Sequence, residues 1–298
     1  MCRPTLPVLA GIALAVAGAS LLRPASVTYD PWAWLIWGRE LAGGDLDTGS
    51  GPAWKPLPVA VTTTLAPLGD AAPGAWLLLA RAAGVAAVLL AARLAWRLSP
   101  RPLAPPAAAA AGLGAALTDG WVWNAGVGNA EALALALGLL AVDRHLDGHR
   151  GQALLLGAGA ALVRVEAWPL LAAYAAWLCL RDRRLRAPAV LAAAAVPALW
   201  LVPDRLGSGR WDRSADRARV LEPGAPGLAD RPVAESLEAA LRLPPPAVLA
   251  GALLAAVLAL RGRLPRPAVA VLLGSAAWSA LVALMAWTGT SGEARYHL

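Results

Sequence analysis

The chain contains no phenylalanine, a single lysine and two cysteines among its 298 residues. Charge is scarce as well. Asp, Glu, Lys and Arg make up 15% of the residues, against roughly 25% in soluble domains. That shortfall, with 58% hydrophobic residues, argues against a soluble globular protein. Alternating apolar–polar strands of about ten residues, the mark of a membrane β-barrel, do not occur. The cysteines, Cys2 and Cys179, both fall on the expected cytoplasmic side, so no disulfide is expected. The net charge of +7 does not point to nucleic acid. The arginines cluster in short gaps between apolar segments, as cytoplasmic loops of membrane proteins require. One Lys among 26 basic residues, with abundant Ala, Gly and Pro, suggests a GC-rich coding sequence, so part of the basic character is codon bias.

What remains is apolar sequence in blocks. The expected fold class is all-α: a polytopic transmembrane helical bundle of about nine membrane segments, forming a single membrane domain over residues 1–298. The segments are Leu6–Leu22, Gly74–Leu98, Leu103–Leu117, Ala132–Val142, Gln152–Val163, Ala167–Leu180, Ala187–Pro203, Pro244–Leu260 and Pro267–Trp287. Ala17-Gly18-Ala19 resembles a signal cleavage site, but further spans follow, so an uncleaved anchor is expected. Arginine exceeds acid in 97–101, 181–186 and 261–266 and equals it in 143–150, which also holds two histidines; these loops are expected inside, with the N-terminus in the cytoplasm and the protein in the plasma (inner) membrane. Residues 24–73 and 204–243 then form outer loops. The second holds seven acids and seven arginines and is neutral. Eleven of the fourteen tryptophans fall near outer ends, where an interfacial belt is expected.

The richest stretch is Tyr29–Pro58. It holds Asp30, Glu40, Asp45, Asp47, four tryptophans and Lys55, the lone lysine. Pro31–Leu41 has helical spacing, with Trp34, Trp37 and Leu41 on one face. Asp30 suits the N-cap and Pro31 the first helical position, giving a helix lying in the interface. Gly43, Gly44, Gly49 and Gly51 predict a flexible turn, and Leu57–Leu68 a second interfacial or re-entrant helix. A carboxylate at the membrane surface, such as Asp30, can serve as general base for a hydroxyl; it can equally just cap the helix. Lys55 can meet a phosphate or anchor the chain at the interface. Glu40, Asp45 and Asp47 have the chemistry of a divalent-cation site, though solvated loop acids are commoner, and no metal site is assigned.

Charges at membrane depth are further candidates. Glu131 opens a segment after Asn124 and Asn129. Arg164 and Glu166 break a short helical hairpin, and Arg81 lies in the second segment; each can instead pair inside the bundle. His145 and His149 have zinc-ligand spacing, but Gly148 interrupts the helix between them.

In order, these features resemble the GT-C type of integral-membrane glycosyltransferase, the superfamily of protein O-mannosyltransferases and lipid A aminoarabinose transferases. Tyr29-Asp30 follows the first span. A span then runs from Arg81 to a basic end at Arg97. The turn Asn129-Ala130-Glu131 and the charged break LVRVEAWPLL come next, and Arg295-Tyr296 follows the last span. The resemblance implies a polyprenyl-phosphate-linked sugar as donor, an acceptor hydroxyl on the extracytoplasmic face, and lipid bilayer as surroundings. It implies Asp30 as catalytic base, Lys55, Arg164 and Arg295 as phosphate contacts, and Glu131, Glu166 and Tyr296 as further substrate-binding residues. Many members carry a second acid where Pro31 stands, which weakens the case for a metal. Family chains also continue past the Arg-Tyr pair, so a missing C-terminal membrane portion is expected. Two other classes fit the same residues: a membrane transporter or lipid-handling protein, suggested by intramembrane charges and broken helices, and a non-catalytic membrane subunit.

Overall fold

A computed structural model describes residues 5–298; Cys2 and Arg3 lie outside the described residues. All regular structure in the described residues is helical. The α-helices are α1 (Leu6–Ser20), α2 (Tyr29–Gly43), α3 (Pro56–Leu65), α4 (Ala72–Leu98), α5 (Ala104–Ala116), α6 (Trp121–Gly126) and α7 (Glu131–Leu146). They continue with α8 (Arg150–Ala161), α9 (Ala167–Arg181), α10 (Arg186–Ser208), α11 (Arg213–Arg217), α12 (Pro232–Arg242), α13 (Pro246–Leu260) and α14 (Arg266–Trp287).

The chain forms two compact units. One comprises the residues up to Ala86 and Trp123–Val220; the other comprises Ala87–Val122 and Leu221–Leu298. In the first, α2 packs on α3, α7 on α8, and α8, α9 and α10 pack on one another. In the second, α5 meets α13, and α12 packs on α14.

Among the described residues, three helical stretches are long and apolar enough to cross a membrane: Pro56–Leu98, Arg183–Ser208 and Arg266–Trp287. The first is broken at Gly69 (φ 55°, ψ −123°), a conformation that suits glycine and separates α3 from α4. The other apolar helices are shorter. Even the 16 residues of α7 reach only about 24 Å at 1.5 Å per residue, less than the ~30 Å hydrocarbon core.

The close approach of α2 and α3 depends on Gly38. A Cβ there would stand 2.6 Å from the Thr62 carbonyl carbon. The Thr62 hydroxyl lies 2.6 Å from the Trp34 carbonyl and 3.0 Å from that of Val59, so it links the helices at their crossing. The buried face of α2 is Pro31, Trp34, Leu35, Trp37 and Gly38. Leu41, expected on that face, is exposed, because the contact with α3 is centred one turn earlier, at Gly38.

Many of the tryptophans pack inside the protein. Trp34, Trp37, Trp54, Trp76, Trp121 and Trp200 are buried, whereas Trp32, Trp123, Trp211 and Trp287 are exposed. Without phenylalanine, indoles fill the large aromatic positions of the core. Four of these N–H groups donate to carbonyls: Trp37 to Asp47, Trp54 to Leu199, Trp76 to Gly128 and Trp200 to Ala161; that of Trp34 is buried without a hydrogen bond. A buried indole that keeps its hydrogen bond contributes apolar area without stranding a donor.

Candidate functional site

Helix α2 begins at Tyr29, with Thr28 in the N-cap position. Asp30 therefore sits inside the first turn and does not cap it, contrary to the sequence expectation. Tertiary bonds fix Thr28: its amide donates to the Val127 carbonyl (3.3 Å) and its hydroxyl to Asn129 Oδ1 (2.7 Å). Asn129 in turn donates to Asn124 Oδ1. Pro31 is tolerated because first-turn amides have no partner within the helix. In that turn the helix dipole favours the Asp30 carboxylate.

Lys55 Nζ lies 3.7 Å from Asp30 Oδ2 and 4.9 Å from the centroid of the Trp34 ring. Trp34 is itself fully buried, edge-on to Trp76 at 5.6 Å. The side chains of Lys55 and Asp30 keep 12% and 22% of their surface, so this ion pair is accessible from outside the core.

Glu131, Arg164 and Glu166 form a second cluster, deeper than the first. Arg164 grips Glu166 with two bonds, Nη2 to Oε1 at 2.7 Å and Nε to Oε2 at 3.2 Å. Its Nη1 reaches Glu131 Oε1 at 3.4 Å. All three side chains keep only 5% of their surface. Glu131 Oε2 is buried without a hydrogen bond. The helices α8 and α9 meet at this break, as the hairpin pattern predicts.

Backbone bonds tie the elements of the two clusters. Thr28, two residues before Asp30, is bonded to Val127 and Asn129, just ahead of Glu131. Leu57, two residues after Lys55, donates to the Leu162 carbonyl, two before Arg164. Arg295 and Tyr296 belong to the other compact unit. There Arg295 Nε donates to Glu293 (2.8 Å), its guanidinium lies 5.1 Å from the Tyr296 ring, and Trp278 donates to the Tyr296 carbonyl.

The glycine-rich turn after α2 is held, not loose. Arg213 donates to the carbonyls of Ser50, Gly51 and Pro52, and its guanidinium lies 5.5 Å from the Trp37 ring. Burial lowers the Arg213 pKa from its ordinary value, and the Asp204 carboxylate opposes that shift. Asp204, almost fully buried, accepts from the Ser214 amide. Ser214 Oγ accepts from the Trp54 amide, and the Thr48 amide donates to the Gly207 carbonyl. Asp204 and Arg213 are the residues sequence reasoning missed. It assigned residues 204–243 to a loop, whereas α10 continues through Pro203 to Ser208. The short run WDRSADR after Gly209 carried the signal: a capped helix end followed by charge of both signs.

The remaining candidates hold structure together. Arg81 bonds the carbonyls of Ser20 and Gly126, at the C-terminal ends of α1 and α6, satisfying carbonyls those helices leave open. The Asp47 carboxylate accepts from the Gly49 amide and that of Glu40 from the Asp47 amide. His145 pairs with the Tyr174 hydroxyl at 2.9 Å, and α7 ends before His149. No group of three or more His, Cys, Asp or Glu suited to a metal occurs among the described residues.

Compared with protein-family models, with curated proteins and with solved structures, the chain matches none.

Proposed function

We propose that this chain is a GT-C-like membrane glycosyltransferase that moves a sugar from a polyprenyl-phosphate donor to an acceptor hydroxyl on the extracytoplasmic face. The observation that carries this reading is the Asp30–Lys55 pair: a first-turn carboxylate and the chain's only lysine, 3.7 Å apart and accessible, over a buried indole. In the proposed reaction Asp30 takes the acceptor's proton as the acceptor oxygen attacks the anomeric carbon. The bond from that carbon to the phosphate oxygen breaks, and polyprenyl phosphate departs with its negative charge beside Lys55. Arg164, held by Glu131 and Glu166, is a further phosphate contact in this reading.

The membrane arrangement proposed with it has about nine segments, a cytoplasmic N-terminus and the plasma membrane as location. The arginine-bearing turns after α4, α9 and α13, and the turn after α7, lie inside in this reading. Asp30→Asn tests the reading: transfer from polyprenyl-phosphate sugars is lost while membrane insertion is retained.

A further inference from the structure

Helix α12 has three distinct sides. One is buried: the Ser236 hydroxyl donates to the Gly292 carbonyl at 3.1 Å and lies 3.0 Å from His297 Nε2, with α14 packed against the helix. The second is an exposed apolar stripe, Val233, Leu237 and Leu241, at i, i+4 and i+8. The third carries Arg231, Glu235, Glu238 and Arg242, all exposed. At about 100° per residue, the apolar and charged sides are centred roughly 130° apart. A single plane can therefore bury the stripe and leave the charges in water.

The helix that follows supplies that plane. After Leu243-Pro244-Pro245 the chain turns by 110° into α13, which has no charged residue from Pro246 to Leu260. Helix α14, on which α12 rests, is long and apolar enough to cross a membrane. A helix turned 110° from an apolar one at its end lies within 20° of perpendicular to it. Where α13 enters a bilayer, that direction is the membrane surface.

We propose that α12 lies in the membrane–water interface, with Val233, Leu237 and Leu241 among the acyl chains and Glu235, Glu238 and Arg242 in water. Lipid, not protein, covers the stripe. The charges nearby are three acids (Asp230, Glu235, Glu238) and two arginines (Arg231, Arg242). Attachment therefore comes from apolar area and not from attraction to anionic headgroups. The inference depends on α13 and α14 being in the bilayer, and is independent of glycosyl transfer.

Site-directed spin labelling tests it. The full chain with Cys2→Ser and Cys179→Ser receives single cysteines at 233, 235, 237, 238, 241 and 242 and is placed in phosphatidylcholine nanodiscs. Collision with dissolved oxygen and with a water-soluble nickel chelate is measured at each label. The expected result is a helical alternation: the oxygen-to-nickel ratio several-fold higher at 233, 237 and 241 than at 235, 238 and 242. Free nickel access at 237 overturns the proposal, because the stripe is then in water. Immobile labels at 233, 237 and 241 shielded from both reagents also overturn it, because protein then covers the stripe.

Discussion

Lys55 sits 3.7 Å from Asp30 and 4.9 Å from the centre of the Trp34 ring, so one cation serves both a carboxylate and an indole face. The first-turn position already favours the negative charge of Asp30. In the proposed mechanism Lys55 also meets the phosphate of the donor. Lys55→Met is expected to lower transfer by about 100-fold, the usual loss for one preorganised charge contact. Lys55→Arg is expected to retain part of the activity. Initial rates over a range of donor concentrations check this; equal rates in wild type and Lys55→Met remove Lys55 from the site.

Arg213 links α11 to the turn after α2 through three carbonyls, those of Ser50, Gly51 and Pro52. Arg213→Ala is expected to destabilise the protein by roughly 3 kcal/mol, since it also leaves the buried Asp204 without its cation. Arg213→Lys is expected to recover little, because one ammonium lacks the planar fork that reaches several carbonyls at once. Thermal unfolding in detergent reads both. A normal melting temperature for the alanine variant rules out the clamp.

Gly38 permits the α2–α3 contact on which the Asp30–Lys55 geometry depends. Gly38→Ala puts a methyl 2.6 Å from backbone atoms of Thr62 and is expected to cost about 1–3 kcal/mol. Gly43, with open space around it, is the control. Gly43→Ala is expected to keep or slightly raise the melting temperature.

Arg164 pairs with both Glu131 and Glu166 in that cluster. Arg164→Met is expected to destabilise by roughly 3–5 kcal/mol, because it leaves two buried carboxylates unbalanced. Adding Glu131→Gln and Glu166→Gln is expected to restore much of that loss. Yield of folded protein and its melting temperature separate the single from the triple variant.

Sequence patterning was enough to show the hairpin of α8 and α9, the start of α10 and the ends of α13 and α14, and to single out Asp30, Lys55, Glu131, Arg164 and Glu166 as candidates. Each is written in local signals: an apolar run, a charged break, a turn. The start of α2 was not, because Thr28 is held by Asn129, about a hundred residues away. Nor was the role of the tryptophans. An indole reads the same in a belt as in a core, and only the carbonyls opposite Trp37, Trp54, Trp76 and Trp200 distinguish them. Arg213 was missed for a related reason: its partners are backbone oxygens of residues 50–52, which carry no side-chain signature.

The most direct measurement is transfer of label from a panel of polyprenyl-phosphate hexoses and pentoses to membrane acceptors, comparing wild type with Asp30→Asn at matched insertion. The proposed mechanism predicts transfer from at least one donor by the wild type, and a loss of about 10³-fold in the variant, within the range for a positioned general base. Undiminished transfer by Asp30→Asn, or no transfer from any donor by the wild type, contradicts it.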